Sequence, residues 1–304
     1  MNTTEITALH FPTSPLALRS PDPARQATVR RFAGEQALAA RNAASALGRR
    51  WAEAAGHGDR VAALAAVHAG LIDWRYRLAV RAGRRPAGVA FDPERFRTPI
   101  GEGNANFDRL GEVGRFREGS EWDEASRTYT GGASTPAYEA MVRYGLLAER
   151  RFADEGVEGD VLQNWVTLPD GRRVAGNRIL RGEAARATTA EWVARVAARG
   201  VDVSRMETGG TPVYTATPAP ADGAVLHAAA LDLLADPGLT PDRFLLARYA
   251  LYQAPRMKKG SDAVTRTFVV AVGAVLFGDQ APPLPEDVDL RCYVLGQAGA
   301  TVTA

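Results

Sequence analysis

Residues 263–278 read AVTRTFVVAVGAVLFG, with Arg266 as the one charged side chain and apolar groups on nearly every helical face. A helix with no polar side has to be surrounded, so the rest of the chain must wrap it. The wrapping is protein and not lipid, because no run of 18 apolar residues occurs anywhere in the 304 residues, which excludes a membrane span. The chain has enough residues to bury a large core. With 46% hydrophobic residues, 24% charged residues and a formal net charge of +2, it has ordinary globular composition. The small net charge argues against a general nucleic-acid binder. The N-terminus, MNTTEITALHFPTSP, has no basic segment followed by an apolar one, so export is not expected and a cytoplasmic location is. A single cysteine, Cys292, rules out an internal disulfide and a cysteine-based zinc site.

The remaining elements follow from periodicity and punctuation. Residues 1–23, rich in Pro, Ser and Thr, read as an irregular arm. Strong helix formers from Pro23 to about Gly56 and an apolar stripe from about Asp59 to Ala82 predict an antiparallel helical pair, the second helix capped by Asp59 and stopped by Gly83. Residues 84–134 are Gly- and charge-rich and read as a long loop with a short helix near Phe107–Phe116. Ser134 or Thr135 caps the next helix, with Pro136 in its first turn. VLQNWVTLPDGRRVAGNRIL, residues 161–180, is a hairpin around Pro169-Asp170-Gly171. A helix with the capping box Thr188–Glu191 and a stop at Gly200 follows, then a strand and Pro-rich link in 201–221. Helices are expected over 222–235 and from Thr240-Pro241-Asp242 to Gln253. Asp262 is expected to open the apolar helix, and DLRCYVLGQ, residues 289–297, to form a late strand. His68 and His227 lie on apolar helical faces and read as core histidines.

One compositional fact points to chemistry. Of 37 basic residues, Lys258 and Lys259 are the two lysines, and they are adjacent. A chain that otherwise uses arginine keeps a compact ammonium where a planar guanidinium does not serve. The lysines sit in Ala254–Ser261, a basic, Gly-containing loop that feeds the apolar helix. A helix N-terminus carries unpaired N–H groups and a partial positive charge, so it attracts phosphate or carboxylate. Arg256, Lys258, Lys259, Gly260, Ser261 and Arg266 are the expected anion contacts there. Arg97, Asn104, Asn106 and Arg109 in the long loop are further polar candidates for substrate binding.

The arrangement of a helix, a loop with Pro and Gly, and a buried helix, with a β-hairpin upstream, resembles the core of the Fic family, whose loop reads His-Pro-Phe-x-Asp/Glu-Gly-Asn-Gly-Arg-x-x-Arg. Pro255, Gly260 and Arg266 match its Pro, first Gly and last Arg, with one extra residue between Pro and Gly. Ala254 stands in place of the catalytic His, Lys258-Lys259 in place of the acidic metal ligand, Ser261-Asp262 in place of Asn-Gly, and Ala263 in place of the first Arg. The chain is in this respect similar to AvrB-like relatives, which also lack the standard motif. The resemblance implies a mainly α fold, a helical bundle with a β-hairpin flap at about 161–180, and an anion nest for a nucleotide.

The expected organisation is an arm at 1–23, a helical region at 24–156 and a Fic-like core with its tail at 157–304. The expected function is that of a bacterial transferase-like enzyme that holds a phosphate-bearing small molecule, a nucleotide or sugar nucleotide, in a specialised-metabolism setting. Asp262 is the nearest proton acceptor and Lys258 the charge-neutralising group, so these two are the candidate catalytic residues. With two ammonium groups in place of a metal ligand, no metal is required. The alternative, favoured by the missing histidine, is a catalytically inactive Fic-like module that binds a nucleotide or a protein. A helical scaffold without a ligand is a third reading.

Overall fold

The computed structural model describes residues 5–11, 23–82 and 92–302. The protein is mainly helical, with a small antiparallel sheet. No helix among the described residues is long and apolar enough to cross a membrane. Helices α1 (Pro23–Glu53) and α2 (His57–Arg81) pack against each other and against α7 (Ser261–Leu276), the apolar helix. Helices α5 (Pro220–Ala235) and α6 (Pro241–Gln253) complete the wrapping. Phe268, Val272 and Ala271 of α7 are fully buried with Leu47, Leu64, Leu226 and Ala250 in one cluster. Each such side chain contributes about 1.5–3 kcal/mol by leaving water.

A four-stranded antiparallel sheet covers the other side of α5 and α6, in the order β1 (Phe107–Leu110), β6 (Val213–Ala216), β5 (Arg173–Leu180), β4 (Val161–Thr167). Helix α3 (Pro136–Asp154) closes a second cluster around Tyr144, Phe152, Leu162 and Ile179. Thr135 caps α3 by accepting from the Tyr138 amide, and Thr240 caps α6 in the same way from Arg243. The 161–180 hairpin forms as its Pro-Asp-Gly turn predicts, with Gly171 at φ 84°.

Several local expectations are corrected. Phe107–Leu110 is a strand and not a helix, because its partner β6 offers a register from Phe107↔Ala216 to Leu110↔Val213. Gly111, at φ 80°, then ends it, and Gly114–Phe116 is a single 3-10 turn. A second hairpin, β2 (Glu121–Asp123) with β3 (Thr128–Thr130), occupies the presumed loop. Thr188 and Thr189 lie inside helix α4 (Gly182–Ala197), where Thr189 bonds the Ala185 carbonyl and the Tyr214 hydroxyl. The cap comes from elsewhere: Asp160 accepts from the Glu183 amide at 2.7 Å. Helix α2 begins at His57, and Asp59 accepts instead from the Ala55 amide. Gly83 and most of the arm lie outside the described residues, although Ile6 and Phe11 are buried against the core.

The late strand is absent: 288–300 forms α8 (Val288–Val294) and α9 (Gly296–Ala300). Two buried arginines hold the chain on either side of it. Arg248 donates to the carbonyls of Pro283 and Ala300, and Arg266 to those of Pro285 and Glu286. Arg266 is 2% exposed and also meets Asp262 at 3.3 Å and Asp289 at 3.7 Å. A guanidinium in that position needs oxygen partners, and its two terminal nitrogens find them while its Nε has none. Arg266→Lys keeps the charge but cannot reach two carbonyls and two carboxylates at once. The expected result is a loss of about 2 kcal/mol, read as a lower urea midpoint with an unchanged m value.

Candidate functional site

The N-terminus of α7 is built from both halves of the chain. Gly260 is its N-cap at φ 75°, a left-handed conformation that favours glycine. A Cβ there would lie 2.8 Å from the Phe96 ring and 2.9 Å from Arg75 Cγ, so the position is closed to larger residues. Ser261 accepts from the Met257 amide at 3.2 Å and donates to the Met257 carbonyl at 3.0 Å, which curls the loop back on the helix. On the outside the loop is laced to residues 98–106. The Ile100 amide donates to the Arg256 carbonyl, the Lys258 amide to the Thr98 carbonyl, and Asn106 Nδ2 to the Met257 carbonyl.

Lys258 is half-buried in this lacing. Its Nζ donates to the carbonyls of Asn104 at 2.6 Å and Ala105 at 3.2 Å. Both terminal nitrogens of Arg195, on α4, converge on the same Ala105 carbonyl at 3.2 Å. Burial, and then the fields of Arg195, Arg95 and Arg199, push the Lys258 ammonium down to about 8. Arg95 is lowered for the same reasons, by burial first and then by Arg199. Four cations therefore face one another, and two carboxylates stand near them: Glu191, 3.6 Å from Arg195, and Asp92 beside Arg95. The arrangement is a cluster of four cations with a surplus of positive charge.

The residues expected from sequence are distributed as follows. Lys258, Asn104 and Asn106 meet, Asn104 through its backbone oxygen. Arg256 and Lys259 are exposed on the loop. Arg97 lies to the side, paired with Glu94 at 2.5 Å and stacked 4.4 Å from the Tyr76 ring centroid. Arg109 is buried and pins another segment, donating to the carbonyls of Glu207 and Gly209 at 2.7 Å each. Asp262 does not cap the helix; it takes the Tyr252 hydroxyl at 3.2 Å and pairs with Arg266. Burial and Asp262 both raise the neighbouring Asp289 carboxyl, with Arg266 working against them. Sequence reasoning missed Arg95, Arg195 and Arg199. Their signal was weak, since arginines are abundant and these three lie 59 or more residues from Lys258.

On the opposite flank of the loop, His68 of α2 and His227 of α5 stand with ring centroids 4.8 Å apart, and His68 also meets the Phe268 ring edge-on at 5.2 Å. Both were expected in the core, and both are buried. Burial, then His227 and Arg256, lowers His68 to about 3; burial and Arg256 lower His227 to about 4.

No known family model matches the chain, and no curated protein is similar enough to it in sequence to match.

The histidine pair sets a pH dependence. Between pH 6.5 and about 4 the unfolded chain binds protons at both imidazoles that the folded chain refuses, so stability falls as pH falls through that window. The limit is about 1.4 kcal/mol per pH unit for each imidazole. Asp289, raised on folding, contributes with the opposite sign. The measurement is therefore a comparison: urea unfolding of the parent and His227→Gln at pH 7 and pH 5, with a smaller acid loss expected in the variant.

Proposed function

We propose that the Lys258 loop and the arginines around it hold a phosphate-bearing small molecule, a nucleotide or sugar nucleotide, and that the protein is a transferase built on a Fic-like core. The carrying observation is the convergence of Lys258 and Arg195 on the Ala105 carbonyl, with Arg95 and Arg199 in their field. A carbonyl oxygen has only a partial charge and cannot neutralise two cations. A phosphate in this place would form charge-assisted bonds, each worth about 1.5–3 kcal/mol, and would relieve the repulsion. The N–H groups of the first turn of α7 add to the same field. The Fic-like reading is supported by the order of the parts. The hairpin precedes α6, and the Asn177 amide of β5 donates to Gln253 at the end of α6 at 2.8 Å, tying the proposed flap to the loop's root.

A second reading, a module that binds but does not turn over, has one observation in its favour. Asp262, the acid nearest the loop, is already engaged by Arg266 and Tyr252. Turnover of bound nucleotide separates the two.

Binding is tested by calorimetry with ADP and with adenosine. ADP is expected to bind and adenosine not, with an affinity that falls steeply as salt is raised. Lys258→Ala/Arg195→Ala should weaken ADP binding at least 100-fold, with the melting temperature as a folding control. Because the Lys258 ammonium sits near 8, affinity should also drop between pH 7 and pH 9 in the parent and stay flat in Lys258→Ala. Equal affinity of the parent and the double variant for ADP would remove the site.

A further inference from the structure

The flank of the loop away from Lys258 contains a small cavity that the proposed nucleotide site does not use. It lies between His68, His227, Arg256, Ser261 and Thr265, and it has room for one guest the size of a water molecule. His227 is 9% exposed, and its Nε2 is buried without a hydrogen-bond partner. An unpartnered buried ring nitrogen costs free energy, so it asks for a polar guest. Beneath it begins α7, with Ser261 and Thr265 in the cavity wall and a glycine N-cap that supplies no side-chain acceptor to the first amides. The charged group that faces both rings is Arg256, and it is positive.

We propose that this cavity is a binding site for a small monatomic anion of halide size, held by His227 Nε2–H, the field of Arg256 and the N-terminus of α7.

The sign of the field decides between guests. Arg256 and the helix end both repel a cation and attract an anion. The size of the cavity excludes a phosphate. The Thr265 hydroxyl in the wall can donate to such a guest, while the Ser261 hydroxyl already donates to the Met257 carbonyl. A halide here also reverses the balance at the imidazoles. Without it, Arg256 opposes protonation; with it, His227 gains an anionic acceptor and becomes easier to protonate. The groups that face His227 are His68 from α2 and Arg256 from the loop; Leu251 of α6 and Val264 and Thr265 of α7 add no charge. Anion binding should therefore be coupled to proton uptake at His227 and tighten as pH falls. The site shares the first turn of α7 with the nucleotide reading but not Lys258, Arg195, Arg95 or Arg199, so a failure to bind ADP leaves it standing.

Two measurements test it. Crystals of the wild-type protein grown or soaked in sodium bromide, with data collected at the bromine edge, should show an anomalous peak beside His227 Nε2. A water or an empty cavity at that place in 0.5 M bromide overturns the proposal. In solution, the His227 Cε1–H resonance is titrated in chloride and in gluconate at matched ionic strength. Chloride is expected to raise the His227 midpoint by at least half a pH unit, and to leave exposed His10 unmoved. Identical midpoints in the two salts overturn the proposal. His227→Leu should abolish the extra thermal stability that chloride gives over gluconate at pH 5.5; should that variant fail to fold, the bromide peak and the wild-type titration decide alone.

Discussion

Two guanidinium groups inside the protein determine how its last third is arranged. Arg248 and Arg266 are 3% and 2% exposed, and neither can be deprotonated to escape its burial. Each must find oxygen atoms, and most of those atoms belong to the segment from Pro283 to Ala300. That segment is thereby drawn across α6 and α7, and Asp289 comes close enough to share the Arg266 charge with Asp262. The pairing raises the Arg266 guanidinium further against the effect of burial. It also fixes Asp262 by its carboxylate, so the first turn of α7 is anchored on the side away from the histidines.

The loop before α7 is subject to the opposite constraint. Lys258, and Arg195 beside it on α4, are tied down by the neutral carbonyls of residues 104 and 105. Hydrogen bonds to backbone oxygen hold the geometry and leave the net charge in place. Lys258 serves both purposes. As a donor it joins the 98–106 segment to the loop, and as a partly desolvated ammonium near 8 it marks where positive charge has accumulated beyond what folding needs.

Much of the fold was legible in the sequence wherever it depends on neighbours in the chain. The apolar helix, the caps Thr135 and Thr240, and the Pro-Asp-Gly hairpin are local signals, and the structure follows them. What was not legible depends on partners far away. Phe107–Leu110 becomes a strand because β6, about a hundred residues later, pairs with it. Residues 289–297, with a strand-like apolar content, are helical, and buried arginines on α6 and α7 hold the carbonyls of Ala300 and Glu286 on either side of them. The same holds for the site. The lysine pair and its loop stood out by composition, whereas Arg195 and Arg199 could be placed beside Lys258 only once α4 was packed, and Arg95 only once the 93–96 turn was.

The two flanks of the α7 N-terminus solve one electrostatic problem in different ways. A helix end is already positive, and the loop adds Arg256, Lys258 and Lys259 to it. On one flank the nearby titratable groups are imidazoles, which can give up their protons, and they do: His68 and His227 stay neutral far below their ordinary range. On the other flank the groups are guanidiniums, which cannot, and the strain passes to the one ammonium among them. Neutral rings can be enclosed among Phe268, Leu251 and Val264, as His68 and His227 are. Guanidiniums keep their charge wherever they sit, and on this flank Arg199 keeps its own at the surface. The choice of histidine on one side and arginine on the other thus decides which flank of the helix end sheds its charge on burial and which one keeps it.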